Sequence, residues 1–354
     1  MVVDDGHPKP MITVLMTAYK GGNYFKDAVR SILDQTFWNL ELLVILDPHP
    51  EDMCEAVLKS MEDPRIRLLK NKRREGLLRS RNIGLSGSRG EYIAIMDSDD
   101  ISLPERLQRQ LKYLQNNRDC GLVGSYCTVI NAHGDVLRED LNYISDTELY
   151  YRFTFANQIP HSSILARKGL VLEVGGYRED GYGEDYELYL KCIERQRIHK
   201  LPEVLVKWRE HPGSTSGEYG KKIEGDSIGI IKDHVRRRFS IELSDKDVRL
   251  FRDHSMTGFS LKGVRIALKK LRLLNSSVVE TAPEWADRKM LRKLANDKYL
   301  ALLTGQILNQ GWNVSIPLFL LSIPEAPGML IRALRRIMVA KREKVARNNN
   351  NANG

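Results

Sequence analysis

Three aspartates within four positions, Asp97, Asp99 and Asp100, follow an apolar run from Tyr92 to Met96 and precede a helix start. Carboxylates this close repel one another, and a bound divalent cation is one arrangement that relieves the repulsion. Hard cations such as Mg2+ and Mn2+ take oxygen ligands and commonly use one or two carboxylates together with substrate phosphates. A second acidic group, Glu184-Asp185, follows the glycines Gly175, Gly176 and Gly183 and opens a helical pattern with Leu188, Cys192 and Ile193 on its apolar face. Both groups have a plainer explanation. Asp and Ser are common at helix starts, and acids in a first turn complement the helix dipole. For the first group a cap is already supplied: Ser102, with Pro104 in the first turn and Glu105 three residues after Ser102, reads as a capping box. Asp97, Asp99 and Asp100 are then surplus to capping.

The elements that must position these acids are legible as alternating strands and helices. Ile12 to Thr17, Leu42 to Leu46, Ile66 to Leu69 and Tyr92 to Met96 are apolar runs of strand length, as in buried parallel strands. Between them lie helical patterns: Phe25, Ala28, Val29, Ile32 and Leu33 with Asn23 as cap, then about Asp52 to Met61, then Leu77 to Leu85. This alternation predicts right-handed crossovers, and thus an α/β fold with a mainly parallel sheet and helices on both faces. Ligands of such sheets bind beyond the carboxyl ends of the strands. There the chain places Thr17 to Gly22, then Asp47-Pro48, then Asp97 to Asp100. Leu122 to Ile130 reads as a further strand ending in the turn Asn131 to Asp135. Beyond about Ile223 the pattern turns helical.

Composition excludes several classes. Hydrophobic residues at 42% and charged residues at 29% describe a globular chain able to bury a core. No stretch reaches the roughly 18 consecutive apolar residues of a membrane span. Cys54, Cys120, Cys127 and Cys192 are scattered and follow no secretory leader, which predicts reduced thiols in a cytoplasmic protein. A dinucleotide oxidoreductase would carry G-x-G-x-x-G after the first strand, where the chain reads Ala18-Tyr19-Lys20-Gly21-Gly22. A nucleotidyltransferase would need an early glycine-rich basic loop, and Lys20-Gly21-Gly22 is a poor one. Only the basic C-terminal tail suggests nucleic acid, without any aromatic platform, so no nucleic-acid partner is expected.

Nine segments, in order and at matching spacing, resemble family-2 glycosyltransferases. They are Thr13 to Tyr19, Ser31 to Phe37, Glu41 to Asp47, Arg81 to Leu85, Gly90 to Ala94, Asp97 to Asp100, Gly175 to Tyr177, Glu184-Asp185 and Arg209 to Pro212. The resemblance covers about residues 11 to 216. It implies the GT-A form of the α/β fold and an inverting, non-processive transfer of one hexosyl group from a nucleotide-diphosphate sugar. A UDP-sugar is the first expectation. It also implies roles: Thr17, Tyr19 and Asp47 at the base, Arg81 near the base or diphosphate, and Asp99 at the ribose. Asp100, Asp97 and His211 would serve a divalent metal, Mn2+ or Mg2+. Asp185 would be the general base and Glu184 a contact to acceptor or sugar. The acceptor would be a glycan or glycolipid. Two departures matter. Leu46 stands where the family commonly has an acid before Asp47, and no Q-x-x-R-W motif or membrane span of processive relatives occurs. The intact acids argue against a catalytically inactive homologue.

These readings divide the chain into a leader (1–10), the glycosyltransferase domain (11–222), a helical region (223–328) and a basic tail (329–354). The tail holds seven Lys/Arg and one acid, and from Met329 to Val339 an apolar stripe faces arginines. Such a helix suits either the surface of an anionic membrane, with peripheral attachment to the inner leaflet, or a place packed on the protein's own core, and the sequence leaves both open.

Overall fold

The computed structural model describes residues 9–20, 22–141 and 143–309. Most of the leader and the whole basic tail, with the predicted tail helix, lie outside these residues. The chain forms two compact units. One comprises the described residues up to Phe153 together with Asn157–Ile230, the other Thr154–Ala156 and the described residues from Ile231 onward.

The first unit is α/β. Its opening half alternates β1 (Ile12–Tyr19), α1 (Phe25–Leu33), β2 (Leu40–Asp47), α2 (Cys54–Met61), β3 (Ile66–Lys70), α3 (Leu77–Gly87) and β4 (Tyr92–Ile95). The two-residue β5 (Ile101–Ser102), α4 (Arg106–Asn116), β6 (Cys120–Ile130), β7 (Val136–Asp140) and α5 (Asp146–Phe153) follow. Then come β8 (Leu165–Arg167), α6 (Lys168–Glu173), α7 (Glu184–Ile193), β9 (Arg197–Arg209) and α8 (Thr215–Phe239), which runs into the second unit. The sheet order is β3-β2-β1-β4-β8-β6-β9-β5, with β7 also paired to β6. Neighbours from β3 to β4 are parallel, so the carboxyl ends of β1, β2 and β4 share one rim, as expected. Beyond β4 the sheet is mixed, because β8 runs antiparallel to both β4 and β6.

Strand β2 is buried along its whole length, which explains its unbroken apolar sequence. On one face Val14, Met16, Leu42 and Val44 pack with Phe25, Val29 and Ile32 of α1 and Leu107 and Leu111 of α4. On the other face α3 lies so close that a Cβ on Gly84 would fall 2.1 Å from a methyl of Leu15. Helices therefore cover both faces. All four cysteines are free and buried.

Local capping differs from expectation. Asn23 does not cap α1, whose N-cap is Tyr24 without a side-chain bond. Ser102 does not cap α4 either, because it belongs to β5, where it pairs with Val206. The first turn of α4 is satisfied from elsewhere in the fold: Gln35 Oε1 accepts from Leu107 N at 3.1 Å, and Gln35 Nε2 donates to Leu103 O at 2.8 Å. The acidic cluster is thus separated from the helix by a strand, and no cap competes for it.

At the opposite end of the sheet the buried carboxylate of Glu41 accepts from Thr13 Oγ1 at 2.5 Å and Arg89 N at 2.7 Å. This draws the 89–90 backbone onto β1, and a Cβ at Gly90 would lie 2.4 Å from Thr13 N and 2.7 Å from Ile12 C. Backbone cannot move aside as a side chain can. Gly90→Ala is expected to lower stability by about 3 kcal/mol in denaturant unfolding; an unchanged midpoint would contradict this account of the contact.

The second unit is helical, with α9 (Asp245–Arg252), α10 (Leu261–Glu280) and α11 (Arg288–Asn309) after the end of α8. Helix α9 has a true capping box: Ser244 Oγ accepts from Asp247 N, and Asp247 accepts from Ser244 N. Among the described residues no helix is long and apolar enough to cross a membrane.

Candidate active site

The acids after β4 are held by three different elements. Asp97 accepts from Ser162 Oγ and from Arg81 Nη2, each at 2.9 Å. Burial would push its carboxyl up, but His161, Arg81 and Ser162 outweigh that and hold it below the usual carboxylate range. Asp99 meets His211 Nε2 at 3.0 Å, and its backbone oxygen accepts from Arg209 Nε at 2.9 Å. Asp100 is 1% exposed; its Oδ1 accepts from Arg209 N at 2.8 Å, while Oδ2 is buried without a hydrogen-bond partner. Burial first, then the charges of Asp99 and Asp97, hold the Asp100 carboxyl well above the usual range. A buried, unpartnered carboxylate oxygen is costly unless something binds it. A carboxylate oxygen of this kind is the donor type that a hard divalent cation takes.

The three expected metal ligands are not grouped, however. Asp97 is engaged by Arg81, and His211 by Asp99, with its ring 5.0 Å from that of Tyr24. Among the described residues no group of three or more His, Cys, Asp or Glu side chains is arranged to hold a metal ion.

Arg81 joins the two acidic segments. It lies on the buried face of α3, 5% exposed, and its two terminal nitrogens reach Asp97 and Glu184. Residues 97 and 184 are far apart in the chain, yet one guanidinium fork holds both. That fork presents donors in a fixed plane, which suits it to two carboxylates at once. Glu184 and Asp185 start α7, entered through Gly183 in the left-handed region (φ 79°). Asp185 remains partly exposed; Oδ2 accepts from Asn157 Nδ2 at 2.7 Å and Oδ1 from Tyr186 N at 2.7 Å. Burial first, then the Glu184 charge, raises the Asp185 carboxyl above its ordinary value, against the pull of His161 and Arg81.

At the ends of β1 and β2, Tyr19 is 43% exposed, with the guanidinium of Arg74 4.3 Å over its ring and His49 edge-on at 4.9 Å. Thr17 is partly exposed two residues earlier. Asp47 is buried and accepts from Gly76 N at 2.8 Å, Glu75 N at 3.2 Å and Asn71 Nδ2 at 2.6 Å. It therefore shapes the 71–76 loop that carries Arg74.

Sequence reasoning missed several of these groups. Arg106 is fully buried on α4; its Nη2 donates to Ile95 O at 2.8 Å and Ile164 O at 3.0 Å, fixing β4 to the segment before β8. Burial draws its pKa down to about 9, against the charges of Asp100 and Asp97. The signal was present: Arg106 and Gln110 share the helix face of Leu107, Leu111 and Leu114, an unusual place for polar residues. Ser162 and Asn157 come from a segment with no periodicity, and nothing local marked them.

The glycosyl transferase family 2 signature matches residues 13–169. The chain is 31% identical over 206 residues to an uncharacterized glycosyltransferase of Methanocaldococcus jannaschii, covering 57% of this chain and 71% of that one. It is 30% identical to the O-antigen biosynthesis glycosyltransferase WbnJ of Escherichia coli, over 58% of this chain and 82% of that one. Among solved structures, S. aureus TarS 1–349 in complex with UDP-GlcNAc superposes with a TM-score of 0.54 at 16% identity, covering 83% of this chain and 90% of that one. The sheet topology and this neighbour agree with the expected GT-A fold followed by a helical region. With relatives this similar along most of their own length, the chain belongs to glycosyltransferase family 2 and is a glycosyltransferase.

Proposed function

We propose that this enzyme moves a single sugar, with inversion, from a nucleotide-diphosphate sugar to a hydroxyl of a glycan or glycolipid. Asp185 takes the proton from the acceptor hydroxyl while that oxygen attacks the anomeric carbon and the nucleoside diphosphate leaves. Thr17, Tyr19 and Asp47 hold the base, Tyr19 by offering its exposed ring; Asp99 holds the ribose, and Glu184 borders the acceptor. Arg81 acts as a positioning residue. The observation that carries this reading is the Arg81 fork, which brings the acids after β4 and the acids of α7 into one site.

A divalent cation, Mn2+ or Mg2+, would suit the unpartnered Oδ2 of Asp100, and Asp97 and His211 would join it only on leaving Arg81 and Asp99. When bound, such a cation stabilises negative charge on a departing diphosphate. The name of the Escherichia coli relative supports a surface glycan or its lipid-linked precursor as acceptor, and the TarS complex makes UDP the first nucleotide to test.

Calorimetry with UDP, GDP and dTDP, with and without Mn2+, tests donor and metal together. One nucleotide is expected to bind in a metal-dependent way, and Asp100→Asn to weaken that binding by on the order of 100-fold. The same variant is expected to melt no lower than wild type without metal. A carboxyl whose folded pKa is raised adds stability only while protonated, and loses it as pH rises from the unfolded to the folded pKa. At neutral pH the amide is free of that loss. Failure of folded wild-type protein to bind any of the three nucleotides with any metal would overturn the nucleotide-sugar reading.

A further inference from the structure

Charge is divided sharply along the chain. Residues 1–230 carry 31 Lys/Arg against 35 Asp/Glu, a net −4, whereas residues 231–309 carry 17 against 9, a net +8. The described part of the helical unit thus nearly equals the +9 of the whole protein before the tail is counted.

This excess has a direction. Helix α10 runs from Leu261 to Glu280, its start capped by Ser260 Oγ accepting from Gly263 N at 3.1 Å. Val264, Ala267, Leu271, Leu274 and Val278 recur at helical spacing and are buried, so that face belongs to the unit's own core. The opposite face is exposed and carries Lys262, Arg265, Lys269 and Arg272. Arg272 leans on the Tyr299 ring at 5.4 Å. Among the described residues no acid pairs with Lys262, Arg265 or Lys269. Between these cations stand Ile266 and Leu273, 45% and 51% exposed, two turns apart on the same line of the helix.

A purely solvated face needs no large apolar side chains, and a nucleic-acid surface gives them nothing to bury against. A bilayer of acidic lipids suits both classes at once: phosphates for the cations, and the boundary of headgroups and acyl chains for Ile266 and Leu273. We propose that the outer face of α10 docks the enzyme flat on an anionic membrane surface. The contact is independent of the tail, because every residue in it lies between positions 262 and 273.

The test is co-sedimentation of the full chain with vesicles of phosphatidylcholine, alone or with phosphatidylglycerol. Wild type is expected to pellet with the acidic vesicles only, and less so as salt is raised. The triple variant Lys262→Gln, Arg265→Gln, Lys269→Gln is expected to bind on the order of 100-fold more weakly, at about one lipid-facing charge lost per substitution. A second variant, Ile266→Gln with Leu273→Gln, keeps every charge and is expected to bind roughly 10-fold more weakly. All five positions are on the outer face, so melting temperatures should hold, and each variant checks the other. Wild-type affinity for acidic vesicles in both variants would overturn the proposal and leave attachment to the tail. Binding to a short duplex oligonucleotide but not to vesicles would overturn it in favour of a nucleic-acid surface.

Discussion

Asp185→Asn is expected to lower kcat by roughly 1,000-fold while leaving nucleotide affinity within a few-fold of wild type. The geometry separates the two effects. Asp185 is partly exposed at the first turn of α7, and among the described residues its oxygens bond to Asn157 Nδ2 and the backbone N of Tyr186 alone. Neither partner belongs to the base-side group of Tyr19, Arg74 and Asp47. An amide keeps the size and can still accept from Asn157, but it cannot take a proton. Its neighbour Glu184 is no substitute, since Arg81 already holds that carboxylate.

The pH profile supplies an independent check. Burial and the Glu184 charge raise the Asp185 carboxyl above its ordinary value. A base works only when deprotonated, so kcat is expected to rise with pH through an apparent pKa above the ordinary aspartate value of about 3.9. Residual activity of the variant should lose that limb. Stability changes in the opposite sense. Because the folded pKa is raised, the group's contribution is present at low pH and lost as pH rises toward it, so Asp185→Asn should be no less stable than wild type at pH 7. A variant with wild-type kcat would remove Asp185 from the chemistry. A variant that merely melts early would have failed by folding, and circular dichroism tells the two apart.

What was legible in the sequence had local causes. Strand β2 was readable because burial on both faces demands an unbroken apolar run. Helix α7 was readable because Leu188, Cys192 and Ile193 repeat at helical spacing and all three are buried. The rim of acids was readable because parallel strands must present their carboxyl ends together. What stayed hidden had distant causes. The first turn of α4 is capped by Gln35, which is 72 positions from Leu107, so the local Ser102 pattern pointed to the wrong residue. Asn157 reaches Asp185 from a stretch with no period, and Asp47 spends its carboxylate on the 71–76 loop. Arg106 sits between these extremes, since a basic residue on an apolar helix face is visible but its target is not.

Arg81 carries the largest expected effect on stability. It sits 5% exposed between Asp97 and Glu184, whose side chains are 31% and 13% exposed. Replacing it with Met keeps most of the volume but leaves two poorly solvated carboxylates without their cation. Breaking a buried pair in this way typically costs about 3–5 kcal/mol, well above the net worth of the pair against an apolar substitute. Arg81→Met is therefore expected to lose stability in that range in denaturant unfolding. The deficit should shrink in acid. Arg81 helps hold Asp97 below the usual carboxylate range, and a depressed carboxyl contributes stability above its unfolded pKa that is lost as pH falls toward the folded one. Wild type thus loses more than the variant on acidification, and the two curves converge. Arg81→Lys separates charge from shape: a single ammonium can reach one acid or the other but cannot span both as the planar fork does, so it should restore only part of the stability. If Met at this position were as stable as Arg across the pH range, the two acidic segments would be held together by something other than Arg81, and the observation on which the site is built would fall.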